Sequence, residues 1–91
     1  MNKEQQLAMS ELTEIQQHLL SLAANAFEIT TSRLSLESKP GDVPQWDSLG
    51  HIVLLEAIRE KFGVEPPLER LLEAETLRDL AKIIAESVHG T

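Results

Sequence analysis

Apolar residues recur at three- and four-residue spacing in separate segments of this chain, and nowhere do they alternate at the spacing of two that a half-buried strand requires. Such a chain buries its apolar surface by packing helix against helix. Leu12, Ile15, Leu19, Leu22, Ala23 and Ala26 mark a first amphipathic helix over residues 10–26. Ser10 is placed to cap it, with Glu11 and Glu14 in the first turn facing the positive end of the helix dipole. Residues 28–46 lose the period and carry Thr30, Thr31, Ser32, Ser35, Ser38, Pro40, Gly41, Asp42 and Pro44 among scattered Leu34, Leu36 and Val43. They read as a loop, and a connection of that length in a small domain demands a packing or functional reason.

A second helix is expected over residues 48–62, with Asp47 as its N-cap and Gly63 at the left-handed position beyond its end. Pro66 and Pro67 then exclude a continuous helix, so Leu68, Leu71 and Leu72 indicate one or two separate turns ending near Ala74. Thr76 followed by Asp79 resembles a capping box with Asp in place of Glu, and opens a last helix over 77–87. Leu77, Leu80, Ala81, Ile83, Ile84 and Val88 form its stripe, and His89, Gly90 and Thr91 a polar tail. The expected fold is all-α: a four-helix bundle of three long helices and one short one, with a long loop between helices 1 and 2.

The second helix has two apolar faces. Leu54, Leu55, Ile58 and Phe62 fall together with His51 on the face expected to be buried, against Leu19, Leu80 and Ile84. Leu49, Ile52, Val53 and Ala57 fall largely opposite, interleaved with Glu56 and Glu60. A chain this small cannot encase one helix all round, so the second face is offered to something outside. Leu49, Ile52 and Val53 with Glu56 are therefore the candidate partner-binding residues; the alternative is that the long loop covers them.

The 91 residues, 42% of them apolar, are enough for a single domain, residues 1–91 with a core over about 10–88, but not for a deep catalytic cleft. The chain is expected not to be an enzyme. Fifteen Asp/Glu against eight Lys/Arg give a net charge of -7, which repels nucleic acid and anionic membranes and favours partners with basic surfaces. Without cysteine there is no disulfide, thiolate metal site or cysteine nucleophile, so any thioester chemistry needs a borrowed thiol. No apolar run approaches the ~20 residues of a membrane span and the N-terminus has no signal-like apolar region. A cytoplasmic monomer is expected.

Ser48 combines an acidic neighbour, Asp47, with a place at a helix start, where unpaired N–H groups and partial positive charge favour a phosphate. His51 lies one turn later and invites comparison with a hydrolytic Ser-His pair. The chain has no nucleophile elbow, so His51 reads as a partly buried packing residue. His18 and His89 are remote from it in sequence and no metal site is expected. Trp46 reads as an anchor for the loop, or as a contact for whatever Ser48 carries.

The triplet Asp47-Ser48-Leu49 resembles the phosphopantetheine attachment site of acyl and peptidyl carrier proteins. Its position strengthens the likeness: it follows a first amphipathic helix by about twenty residues and opens a helix ending Glu60-Lys61-Phe62-Gly63-Val64, with Thr76-Leu77 starting a final helix. The resemblance implies 4'-phosphopantetheine esterified to Ser48, Asp47 helping a phosphopantetheinyl transferase recognise the site, and an acyl or aminoacyl thioester passed among activating and transferring enzymes. Trp46 stands where fatty-acid carriers usually have a small residue, and Gly50-His51 where they are typically more acidic. Arg59 and Lys61 balance Glu56 and Glu60. These departures point to a specialised pathway, making a polyketide, a nonribosomal peptide or a related product, rather than housekeeping fatty-acid synthesis. A helical adaptor without cofactor and a housekeeping fatty-acid acyl carrier are the other readings.

Overall fold

The computed structural model describes residues 3–88, with side chains from residue 11 onward, and within them every regular element is helical. The elements are α1 (Lys3–Phe27), a 3-10 turn (Thr31–Arg33), α2 (Ser48–Phe62), α3 (Leu68–Glu73) and α4 (Leu77–Val88). This is the expected bundle of three long helices and one short one. The tail at residues 89–91 lies outside the described residues.

α1 starts seven residues before the expected cap, so Ser10 lies inside the helix rather than at its end. The preceding Lys, Glu, Gln, Leu, Ala and Met are all good helix formers, and propensity carries the helix beyond the turns whose period was legible. Its other end has no glycine. Glu28 takes the left-handed conformation (φ 56°), with Ile29 N–H donating to Ala24 C=O at 2.9 Å and Glu28 N–H to Asn25 C=O at 3.3 Å. That is a Schellman ending built on a residue that is strained there.

The core is a single cluster. Ile15, Leu19, Ala23, Ala24 and Phe27 of α1 meet Leu54 and Ile58 of α2 and Leu77, Leu80, Ala81 and Ile84 of α4. Leu34, Val43 and Trp46 enter it from the loop. Leu55 and Phe62, expected on the buried face of α2, are only half-buried. Phe62 is the last residue of α2, where neighbours thin out, and its ring stands edge-on to the exposed His18 at 6.3 Å. Val88, at the end of α4, is exposed for the same reason.

The long loop is held from both sides. Leu34 and Val43 are buried, and tight turns close at Ser38, Asp42 and Trp46. Its carbonyls also satisfy the start of α4: Arg78 N–H donates to Leu36 C=O at 2.8 Å and Leu77 N–H to Ser38 C=O at 3.3 Å. Arg78 returns to the loop through its guanidinium, 2.6 Å from Glu37. The capping box forms as expected, with Asp79 N–H donating to Thr76 Oγ1 at 3.2 Å and Asp79 accepting from the N–H groups of Thr76 and Glu75. Those bonds, the one from Glu75 first, hold the Asp79 carboxyl below the usual carboxylate range. Among the described residues no helix is long and apolar enough to cross a membrane.

Candidate functional site

Gly50 decides how closely the loop meets α2. It is buried in the first turn, where an added methyl would run into the Gln45 carbonyl oxygen and lie 3.3 Å from the Phe27 ring. Only a residue without Cβ lets the loop arrive so near the helix axis. Immediately after Gln45, Trp46 turns its indole inward. It is 4% exposed, with its ring 5.3 Å from that of Phe27 and nearly parallel to that of His51, the centroids 6.2 Å apart. Its Nε1–H donates to His51 Nδ1 at 3.0 Å. Trp46 is thus the loop anchor that its burial demands, with its polar edge satisfied.

Asp47 is extended and caps α2, its Oδ1 accepting from Gly50 N–H at 2.8 Å while its carbonyl accepts from His51 N–H at 2.8 Å. Ser48 follows as the first helical residue and is exposed. No hydrogen bond to another described residue engages its hydroxyl. The oxygen is therefore open to attack an incoming group, beside first-turn N–H groups that have no intrahelical partner. An open cleft of about 450 Å³ lies alongside, lined by Trp46, Asp47, Ser48 and His51 on one side and by Leu71, Leu72 and Ala74 of the α3 region on the other. His51 is half-buried, and burial holds its imidazole below the ordinary value. The neutral ring is also what accepting from Trp46 requires.

These features fit a covalently attached phosphoester arm: an unhindered hydroxyl, a helix N-terminus for the anion and a cleft for a chain. They do not fit hydrolysis, because His51 spends Nδ1 on Trp46 and among the described residues no carboxylate orients it. Among the described residues no group of three or more His, Cys, Asp or Glu is placed to hold a metal.

Residues 46–84 match the family of the phosphopantetheine attachment site. Over that segment the chain is similar to phosphopantetheine-carrying carrier domains. The family carries 4'-phosphopantetheine as a covalent group. A search of curated proteins found no match to the chain.

The second face of α2 is open, and the loop does not cover it. Leu49, Ile52 and Val53 are 69%, 58% and 43% exposed. Glu56 is held at 3.0 Å by Arg59, which also reaches Glu65 at 3.4 Å, so the acid on this face is partly neutralised. Sequence reading missed that α3 extends the apolar surface, with Leu68 67% and Leu72 76% exposed. The signal was faint because the stripe of so short a helix does not separate an inner from an outer leucine. Arg70 fixes the helix, pairing with Glu86 of α4 at 2.7 Å and with Glu73 at 3.0 Å. A second groove of about 400 Å³ runs between α2, the proline connector, α3 and α4, lined by Leu55, Ile58, Val64, Leu68, Leu80 and Ile84 among others.

Proposed function

We propose that Ser48 is the residue esterified by 4'-phosphopantetheine, and that the chain, a single monomeric domain, ferries acyl or aminoacyl groups for a specialised biosynthetic pathway. The observation that carries this reading is the exposed, unengaged hydroxyl of Ser48 one residue beyond the Asp47 cap, inside the matched segment. When bound, the group supplies the thiol that the cysteine-free chain lacks. The chain's own part is positional. Asp47 fixes the first turn and presents the hydroxyl, the N-terminus of α2 stabilises the phosphodiester, and Leu49, Ile52 and Val53 with Glu56 offer a face to the transferase and to acyl- or amino-acid-transferring enzymes. The near-neutral pairing of Glu56 with Arg59 favours partners that dock on apolar contact more than on charge.

The test is intact mass after incubation with coenzyme A and a broad-specificity phosphopantetheinyl transferase. One phosphopantetheinyl group on the native chain and none on Ser48→Ala is the expected result. Attachment to another serine, or to the Ser48→Ala chain, overturns the assignment. No attachment at all favours the adaptor reading.

A further inference from the structure

Beside Ser48 the structure holds one imidazole whose tautomer is decided by its surroundings. The Trp46 indole can only donate, so the 3.0 Å bond to His51 Nδ1 makes that nitrogen the acceptor and leaves the ring proton on Nε2. No other hydrogen bond among the described residues engages the ring, and no side-chain nitrogen is left both buried and unpartnered, so the Nε2 edge is open. His51 lines the same cleft as Ser48 and follows it by one helical turn, the spacing that brings side chains together on a helix face. Trp46 is itself immobilised by burial, by Phe27 and by the turn from Val43 C=O to Trp46 N–H at 2.9 Å. The other ionisable side chain lining the cleft is Asp47, whose carboxylate would oppose a second anion, although its Oδ1 is occupied by Gly50 N–H.

We infer that His51, its tautomer fixed by Trp46, donates its Nε2–H to a non-bridging oxygen of the phosphodiester on Ser48, and so orients the base of the arm over the cleft towards α3. The inference rests on Ser48 as attachment residue. His51 takes no part in bond making; it is a positioning residue. A neutral donor of fixed direction suits this place better than a lysine would, since it steers the anion without clamping an arm that has to swing between enzymes.

The test is nuclear magnetic resonance of the 15N-labelled chain, with long-range correlations from the ring protons of His51 to its two nitrogens. In the unloaded chain the Nε2–H tautomer is expected, and Trp46→Phe, which keeps an aromatic ring but removes the donor, should mix in the Nδ1–H form. After loading, with attachment at Ser48 established by mass and peptide mapping, the Nε2 resonance should move to the hydrogen-bonded range and the His51 pKa should rise beside the new anion. The phosphorus resonance should titrate together with His51 in the native chain and lose that dependence in His51→Gln. An Nδ1–H tautomer in the unloaded chain, or attachment at Ser48 with His51 nitrogens and titration unchanged, overturns the inference while leaving Ser48 in place. Failure of Ser48 to accept the group overturns both.

Discussion

Substituting Gly50 by Ala puts the joint between the loop and α2 under direct load. In an open helix position the change stabilises by about 0.5–1 kcal/mol, because glycine has more backbone freedom to lose. Here the new methyl overlaps the Gln45 carbonyl oxygen and presses on Phe27 at 3.3 Å. Neither neighbour yields easily: Phe27 is core, and the carbonyl belongs to the peptide leading into the buried Trp46. Overpacking of this kind costs about 1–3 kcal/mol, and with backbone as the obstacle the upper end applies. The net expectation is a loss of about 2 kcal/mol, or a fall in Tm of about 8–16 °C for a domain of this size. Thermal unfolding followed by circular dichroism measures it, with Gly41→Ala as the control, since no atom lies within 4 Å of a methyl there. Displacing the Gln45 peptide would also shift the Asp47 cap, so loading of Ser48 should slow. A Gly50→Ala chain that melts at or above the native temperature would show that the close approach does not exist.

The half-burial of Phe62 sets a ranking in the core: Leu54→Ala should cost about 2–5 kcal/mol and Phe62→Ala only about 1–2 kcal/mol, and urea titrations giving the opposite order would refute it. Val53→Asp should leave stability within about 1 kcal/mol while slowing loading and transfer; unfolding instead would return Val53 to the core. Burial lowers the His51 pKa from 6.5, so as pH falls below 6.5 the unfolded chain takes up the proton first and folded-state stability declines until the folded imidazole is protonated too. The loss of Tm between about pH 7 and pH 5 should therefore shrink in His51→Gln, and an identical slope would discount the histidine.

The elements whose signal is local were legible in the sequence. Asp47, Gly63 and the Thr76–Asp79 pair mark helix ends by chemistry confined to a few neighbouring residues, and α2 begins and ends where they place it. The outward face of α2 was legible for a similar reason, since periodicity alone separates Val53 from Leu54. Features created by contact between distant segments were not. The first turns of α1 carry no apolar period that marks them, and its end rests on a glutamate in a conformation that favours glycine. Gly50 reads in the sequence as a weak point in a helix; it takes the Gln45 carbonyl, delivered by the loop, to make it a requirement. The Trp46–His51 bond spans five positions, of which the sequence shows only that both residues are present.

Loop carbonyls that cap α4 tie the order of synthesis to the readiness of the site. The carbonyls of Leu36 and Ser38 accept from the N–H groups of Arg78 and Leu77, some forty positions further along the chain. A nascent chain that has released α1, the loop and α2 still lacks the segment that seals the loop and fills the core around Leu19 and Leu54. The loop around Leu36 and Ser38 therefore lacks these donors, and the core around Leu19 and Leu54 one wall, until α4 is present. A chain halted at residue 75 should accordingly be cut within residues 30–45 by a protease that spares the whole protein, and resistance of the shortened chain would mean that the loop stands without its late partner.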